Sequence, residues 1–364
     1  MISESQKEHR LEGPNTSSRV IVPKQVPLQG GFSAQEVPAC CRRNLQQGVP
    51  TESAIELMAG SNCTPVTEFS LTGFTKDLVA QLTLFLMFLL IYLFTILGNL
   101  GMIALIRASP QLHSPMYYFL GNLAFVDLCS STVITPKMLV DFLSEKKVIA
   151  YAGCMAQVFI YDLFGMTVCF LLAMMAYDRY MAICHPLVYP LVMSPKCCLQ
   201  LVVGSYLMGL ANGVGQIMGI SSLSFCSSNI LDLFFCDISP LISLSTSDTT
   251  LSYLILTTSA SLFGMSSCLI VLVSYVAIIS AILSIRSAEG KRKAFSTCAS
   301  HLTTVSIFYG TALFMYLKPS SDSSREDKWA AVLYTVVTPM LNPLIYSLRN
   351  NEVKEALRRL AKPK

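Results

Sequence analysis

Charge is what this chain has least of. Only 13% of its 364 residues are Asp, Glu, Lys or Arg, against 53% hydrophobic, and the formal net charge is +4. A soluble protein needs far more charge to cover its surface, so lipid is the expected main solvent; the mean hydropathy of +0.55 agrees. So small a net charge gives no reason to expect nucleic acid as a partner. The four histidines (His9, His113, His185 and His301) are too scattered for a metal site, and no Ser/His/Asp or Cys/His pair has a catalytic spacing. Neither a cofactor nor an enzymatic activity is expected. A disulfide framework is missing too, because Cys129, Cys169, Cys184, Cys197, Cys198, Cys268 and Cys298 lie in or beside apolar runs, where cysteine acts as a small hydrophobe. Only Cys154, Cys226 and Cys236 sit where an oxidising lumen would reach structured loops. Gly213-Val-Gly-Gln-Ile-Met-Gly219 lacks the preceding strand of a nucleotide loop and reads as close helix packing.

What the chain has is apolar length. Seven segments, at about 79–105, 115–140, 154–180, 197–220, 252–283, 294–317 and 329–348, each approach the roughly 20 residues that cross a bilayer. An odd count puts the termini on opposite sides. Arg286, Lys291, Arg292 and Lys293 crowd the loop between segments five and six, and Lys354, Arg358, Arg359, Lys362 and Lys364 crowd the tail. The loop between segments four and five has Asp232, Asp237 and Asp248 with no Lys or Arg. The tail is therefore expected in the cytoplasm and the amino terminus outside. Residues 1–57 read as a disordered extracellular N-terminal extension without the apolar core of a signal peptide, with Met58 as an alternative start. Residues 58–78 are an extracellular N-terminal segment, 79–348 the seven-transmembrane domain, and 349–364 a cytoplasmic tail. An amphipathic helix over 349–362 would carry Val353, Leu357 and Leu360 on one face. The expected fold is an all-α membrane protein, a seven-helix bundle with a short cytoplasmic amphipathic helix.

Polar residues inside such a bundle are costly and mark function. Asp178, Arg179 and Tyr180 close the third segment; at a helix centre each charge would cost about 2.5–3.5 kcal/mol on insertion scales. An Asp178–Arg179 ion pair that opens to meet a partner is the expected switch. Asp127, mid-membrane on segment two, must pair, bind a cation or stay protonated, and Asn99 and Asn342 are its expected neighbours. In Asn342-Pro343-x-x-Tyr346 the proline removes a helix hydrogen bond, Asn342 is expected to satisfy the freed carbonyl, and Tyr346 to move beneath it. A bridge between Cys154 and Cys236 would pin the outer loop over the bundle. Asn62-Cys-Thr64 and Asn15-Thr-Ser17 are glycosylation acceptors, the former weakened by Cys63 and Pro65.

From Val66 to Leu360 the chain resembles the large tetrapod (class II) group of odorant receptors within the rhodopsin-like, G-protein-coupled family. The resemblance rests on Glu68-Phe-Ser-Leu-Thr-Gly-Phe74, Gly98-Asn99, Pro115-Met-Tyr-Tyr-Phe-Leu120, the Asp-Arg-Tyr string within Met175–Leu187, Ser274-Tyr275, Lys293-Ala-Phe-Ser-Thr-Cys-Ala-Ser-His-Leu302, Phe308-Tyr-Gly310 and Asn342 to Asn350. It implies a small volatile odorant as ligand, the olfactory stimulatory heterotrimeric G protein and adenylyl cyclase as partners, and the cilia of sensory neurons as location. A non-sensory receptor for a metabolite is the nearer alternative, a transporter or channel the further one. The family pocket, carried onto matching positions, gives Tyr161, Asp162, Gly165, Met166, Ser259, Phe263, Tyr309, Ala312, Leu313, Tyr316, Val332 and Thr335. Tyr309 stands where most rhodopsin-like receptors have Trp. Asp162 would either favour an amine or be satisfied by a nearby hydroxyl. Tyr275 joins Asp127, Asn99, Asp178, Arg179, Tyr180, Asn342, Pro343 and Tyr346 in the implied activation switch. Two departures stand out. Val168 replaces the usual Glu, which removes the acidic neighbour of Asp127. Thr246 replaces a third loop cysteine, which implies that Cys226 has lost its partner and that the loop is looser.

Overall fold

The computed structural model describes residues 66–226, 228–317 and 324–360. The leader over 1–57 and the acceptors Asn15 and Asn62 fall outside these residues, and Tyr316 and Leu360 are described in backbone only. Seven long helices follow the seven apolar segments: α1 (Leu78–Ala108), α2 (Pro115–Leu143), α3 (Tyr151–Cys184), α4 (Pro195–Ser221), α5 (Thr250–Ser284, with a π turn at Ala260–Gly264), α6 (Ala288–Leu317) and α7, which runs through Ser324–Val332, a π turn at Leu333–Val337, and Thr338–Arg349. The helices outrun the apolar segments by up to six residues, because winding continues through interfacial charges such as Glu289, Lys291 and Arg292. α6 is the one long helix, among the described residues, below the hydropathy of a membrane span, because Ser300, His301, Thr303 and Thr304 dilute its apolar part; the other six qualify.

The outside of the bundle is as apolar as its inside. Leu82, Phe94 and Leu97 on α1 and Leu272, Val276 and Leu283 on α5 are each more than half exposed. Water would not tolerate such a surface; hydrocarbon does. Local chemistry sets the helix ends. The Asp77 carboxylate caps α1 by accepting from the Ala80 N–H at 2.8 Å. Ser194 caps α4, with Pro195 in its first turn. Small residues set the packing of α4 on α3: a Cβ on Gly209 would meet the Leu163 carbonyl oxygen at 2.3 Å, and one on Gly213 the Phe159 oxygen at 3.0 Å. The glycine string of α4 is thus a packing seam.

Three short strands depart from an all-helical reading. β1 (Glu68–Leu71) pairs antiparallel with β2 (Val148–Ala150) and parallel with β3 (Ile230–Leu231), in the register Ser70 to Ile230 and Leu71 to Leu231. One-turn and two-turn helices, Tyr189–Val192 and Ile238–Leu244, fill two loops. α8 (Asn351–Leu360) follows α7, and the Asn350 side chain accepts from the Glu352 N–H at 2.9 Å to cap it. Its inward face is narrower than the sequence suggests: Val353 and Ala356 are buried, whereas Leu357 is 45% exposed.

Candidate functional site

At the end of the bundle that carries α8, here the tail face, α3 delivers Asp178 and Arg179 side by side. The Asp178 Oδ2 lies 3.7 Å from the Arg179 Nε. The Tyr189 hydroxyl donates to Asp178 Oδ1 at 2.8 Å, and Arg179 Nε donates to the Met116 sulfur at 3.1 Å. Burial, reinforced by Asp178, holds the Tyr189 hydroxyl above its ordinary pKa, so it remains a donor. Tyr180 meets His185 Nε2 at 2.9 Å. On α5, Tyr275 bonds His301 Nδ1 at 2.7 Å, with the two rings stacked. α8 is fastened to α2 by a relay: Asn350 Nδ2 donates to the Tyr117 hydroxyl at 2.9 Å, and Tyr117 donates to Glu352 Oε2 at 2.5 Å.

At mid-bundle Asn342 Nδ2 donates to Asp127 Oδ2 at 2.8 Å, and both residues are buried. Asn99 does not complete a triad with them. Its Nδ2 donates to the Pro339 carbonyl at 3.0 Å and the Thr95 carbonyl at 2.9 Å. Pro343 has no N–H to give that Pro339 carbonyl, four residues back. It is therefore Asn99 of α1, and not Asn342, that satisfies the freed acceptor. Close approach of α1 and α7 makes this possible: a Cβ on Gly98 would lie 2.9 Å from Pro343 Cγ. Tyr346 is fully buried, so its movement would require the tail ends of the helices to separate.

Between α2, α3, α6 and α7 lies a narrow cavity, about 440 Å³ including its open part, bounded by Tyr161, Gly165, Val168, Phe308, Tyr334, Thr335, Asp127 and Asn342 among others. Of the implied pocket residues, Tyr161, Gly165 and Thr335 line it. The rest do not. Ser259 accepts from Gln216 Nε2 of α4 at 2.9 Å, Phe263 packs edge-on to Phe170, and Tyr309 donates to Ser267 at 2.9 Å. Val332 packs with Phe88 and Met138, Leu313 is exposed, and Met166 and Ala312 sit away from the lining. Tyr334 and Phe308 wall the cavity instead, their rings 5.4 Å apart. The Phe308-Tyr-Gly310 string was the available signal for one of them. Val168 is buried in this wall, so Asp127 faces an aliphatic neighbour where a second carboxylate would otherwise stand.

The opposite, N-terminal face is closed by loop and strand. Cys154 at the start of α3 is bonded to Cys236, their Cα atoms 5.4 Å apart. Gln157 Oε1 accepts from the Cys236 N–H at 3.2 Å, and Phe235 meets the Tyr161 ring at 5.6 Å. This places Asp237 within electrostatic reach of Asp162. Among the described residues no hydroxyl is bonded to Asp162. Burial lifts the Asp237 carboxyl above the ordinary range, opposed by the Ile238 N–H. Lys328 of α7 bonds Asp232 at 2.8 Å, and Thr72 bonds the same oxygen at 2.6 Å. Phe74 sits among Phe88, Phe142, Phe234 and Trp329. One expectation fails here. Cys226 is disulfide-bonded, so loss of the third loop cysteine has not left it alone. Thr246, at that third position, bonds the Ser224 carbonyl through its N–H and its hydroxyl, both at 2.9 Å.

A seven-helix bundle with a loop disulfide onto α3, a buried Asp–Asn pair and an Asp-Arg at the tail face has the architecture of the rhodopsin-type receptors. The crystal structure of squid rhodopsin matches it with a TM-score of 0.62, 19% identity, and coverage of 78% of this chain and 81% of that one. The chain belongs to the olfactory receptor family, whose sequence profile matches residues 88–364. It is 54% identical over 304 residues to the olfactory receptor-like protein COR4 of Gallus gallus, covering 83% of this chain and 97% of that protein. It is 53% identical over 301 residues to olfactory receptor 5G25 of Mus musculus (82% and 95% covered) and 52% identical over 301 residues to olfactory receptor 5F1 of Homo sapiens (82% and 96% covered). This is a family of multi-pass membrane receptors, not of enzymes.

Proposed function

We propose that the chain is an odorant receptor of the plasma membrane of olfactory cilia, with the N-terminal face outside and the tail face in the cytoplasm. A small volatile molecule occupies the interior cavity and stabilises a pre-existing state in which the tail ends of α5 to α7 have moved apart. Arg179, released from Asp178, then meets the stimulatory G protein, and cyclic AMP rises. One observation carries this reading: a single cavity is bounded toward the N-terminal face by Tyr161 and Tyr334 and toward the tail by Asp127 and Asn342. A molecule pressing on the tyrosines acts on the same walls that hold α2 to α7. The loop between α5 and α6 and the tail supply the basic residues that favour the cytoplasmic side.

The ligand chemistry follows from Asp162 and Asp237. Asp162 follows Tyr161, which lines the cavity, and feels the Asp237 carboxyl; a cationic guest beside Tyr161 would offset that repulsion. An amine odorant is the reading this supports. The test is a cyclic-AMP screen of surface-labelled receptor against amines, acids, alcohols and ketones, with Arg179→Ala as control. A response that survives Arg179→Ala, or an amine response unchanged in Asp162→Asn, would reject the corresponding half of the proposal.

A further inference from the structure

The Gln157 side chain of α3 is buried and bonded at both ends of its amide. Its Oε1 accepts from the Cys236 N–H at 3.2 Å, and its Nε2 donates to the Val133 carbonyl of α2 at 3.1 Å. We propose that Gln157 is a specificity-determining positioning residue. By joining the outer loop to α2, its amide sets how far Phe235 stands over Tyr161, and so how long a guest the cavity admits.

The rest of that face of α3 is cavity wall: Tyr161, Gly165, Val168 and Leu172 line it at helical spacing. One turn before Tyr161 the same stripe reaches Gln157, and another turn back it reaches Cys154, which is bonded to Cys236. The disulfide holds Cys236 by its side chain, so the main chain could still turn about the bonds between. Gln157 holds the main-chain N–H itself and removes that freedom. The preceding residue, Phe235, is buried against the Tyr161 ring at 5.6 Å, with Phe234 beside it at 5.0 Å. Tyr161 in turn meets Tyr334, another ring of the cavity wall, at 6.0 Å. At its other end this stretch of loop is fixed through Asp232, which Lys328 and Thr72 both bond. Leu233-Phe234-Phe235 is therefore a short span held from both sides, and Gln157 sets the height of the end above the cavity.

An amide suits the position because it carries an acceptor and a donor on one flat group. Turned over, it would oppose donor to donor at Cys236 and acceptor to acceptor at Val133, so its orientation is fixed. Val133 lies three residues ahead of Pro136, whose missing N–H loosens the winding of α2 and lets a side chain reach a main-chain carbonyl. Leucine at 157 would fill similar space but leave the buried Cys236 N–H without a partner. Glutamate would keep the acceptor for that N–H.

Selection by Gln157 rests on the cavity being the odorant site, whereas the anchor itself does not, and the two are read separately. Hydrogen exchange of the full-length receptor in lipid nanodiscs, followed by mass spectrometry, should find the Cys236 amide among the slowest of residues 230–237. Fast exchange there overturns the proposal without any variant. Gln157→Leu should speed that amide by about tenfold or more, and Gln157→Glu should leave it slow. An unchanged rate in Gln157→Leu, or equal rates in the two variants, overturns the anchor. Cyclic-AMP responses to a homologous series of straight-chain amines and alcohols read the selection. Each methylene newly admitted is worth about fourfold in potency, so Gln157→Leu should favour longer chains by that ratio or more. Gln157→Glu should keep the wild-type order of chain lengths; an unshifted order in Gln157→Leu overturns the selection. Silence of the unaltered receptor toward the whole series counts against the odorant reading, while the exchange rates still decide the anchor.

Discussion

The two ends of this bundle are fastened by different kinds of bond. On the N-terminal face a disulfide, a three-stranded sheet, the Lys328–Asp232 ion pair and the Phe74 aromatic cluster act together. On the tail face single polar contacts predominate: Asp178 with Arg179 and Tyr189, Tyr275 with His301, and Tyr117 with Glu352 and Asn350. Covalent and strand contacts resist separation. A lone hydrogen bond between protein groups contributes only about 0.5–1.5 kcal/mol net, and so is exchanged readily for a contact with another protein. The difference teaches where movement is cheap: the N-terminal end is fixed, and the tail end, where we propose that a signalling partner docks, is not.

The largest effect should come from the fixed end. Cys154→Ser removes a bridge of a type worth roughly 2–4 kcal/mol, and surface labelling should show receptor delivery falling by tenfold or more. If delivery is unchanged, the contrast between the ends is wrong. Next, Arg179→Ala should leave surface labelling near normal while cyclic-AMP responses disappear, which would separate the movable end from folding. A third variant sharpens the ligand side. Loss of a charged partner is worth about 1.5–3 kcal/mol, so Asp162→Asn should raise the half-maximal concentration of amines by tenfold or more and leave neutral odorants within about twofold. The smallest effect belongs to the α8 relay. Tyr117→Phe deletes hydrogen bonds of about 1 kcal/mol and should raise basal cyclic AMP a few-fold; equal basal signalling would show that the relay does not restrain the tail face.

Seven helices were legible because each carries an uninterrupted apolar run, and Asp127, Asp178 and Asn342 were legible because charge or amide in such a run is rare. Other features were not. β1, β2 and β3 are two to four residues long, too short for any periodicity. The partner of Lys328 is Asp232, 96 residues away, and no local pattern joins them. Asn99 was expected at Asp127 because both are polar and buried, but the stronger demand came from the carbonyl that Pro343 leaves without a donor. For Cys226 the expectation counted cysteines within one loop, but its disulfide bond is a tertiary fact that no local pattern announces. The cavity wall was only partly legible, since Tyr334 and Phe308 differ little in type from the aromatics around them.

The π turn of α7 has a consequence for how its two halves can be edited. At Leu333 the carbonyl accepts both the Thr338 N–H five residues on and the Thr338 hydroxyl, at 2.8 Å for the latter, just ahead of Pro339. Such a turn holds one residue more than regular winding requires. Deleting a single residue inside 333–337 would take up that slack and leave Asn342 still aimed at Asp127, whereas deleting one below Pro339 would swing everything after it by about 100°. A receptor shortened inside the turn should keep answering its agonist, and one shortened a turn lower should fall silent.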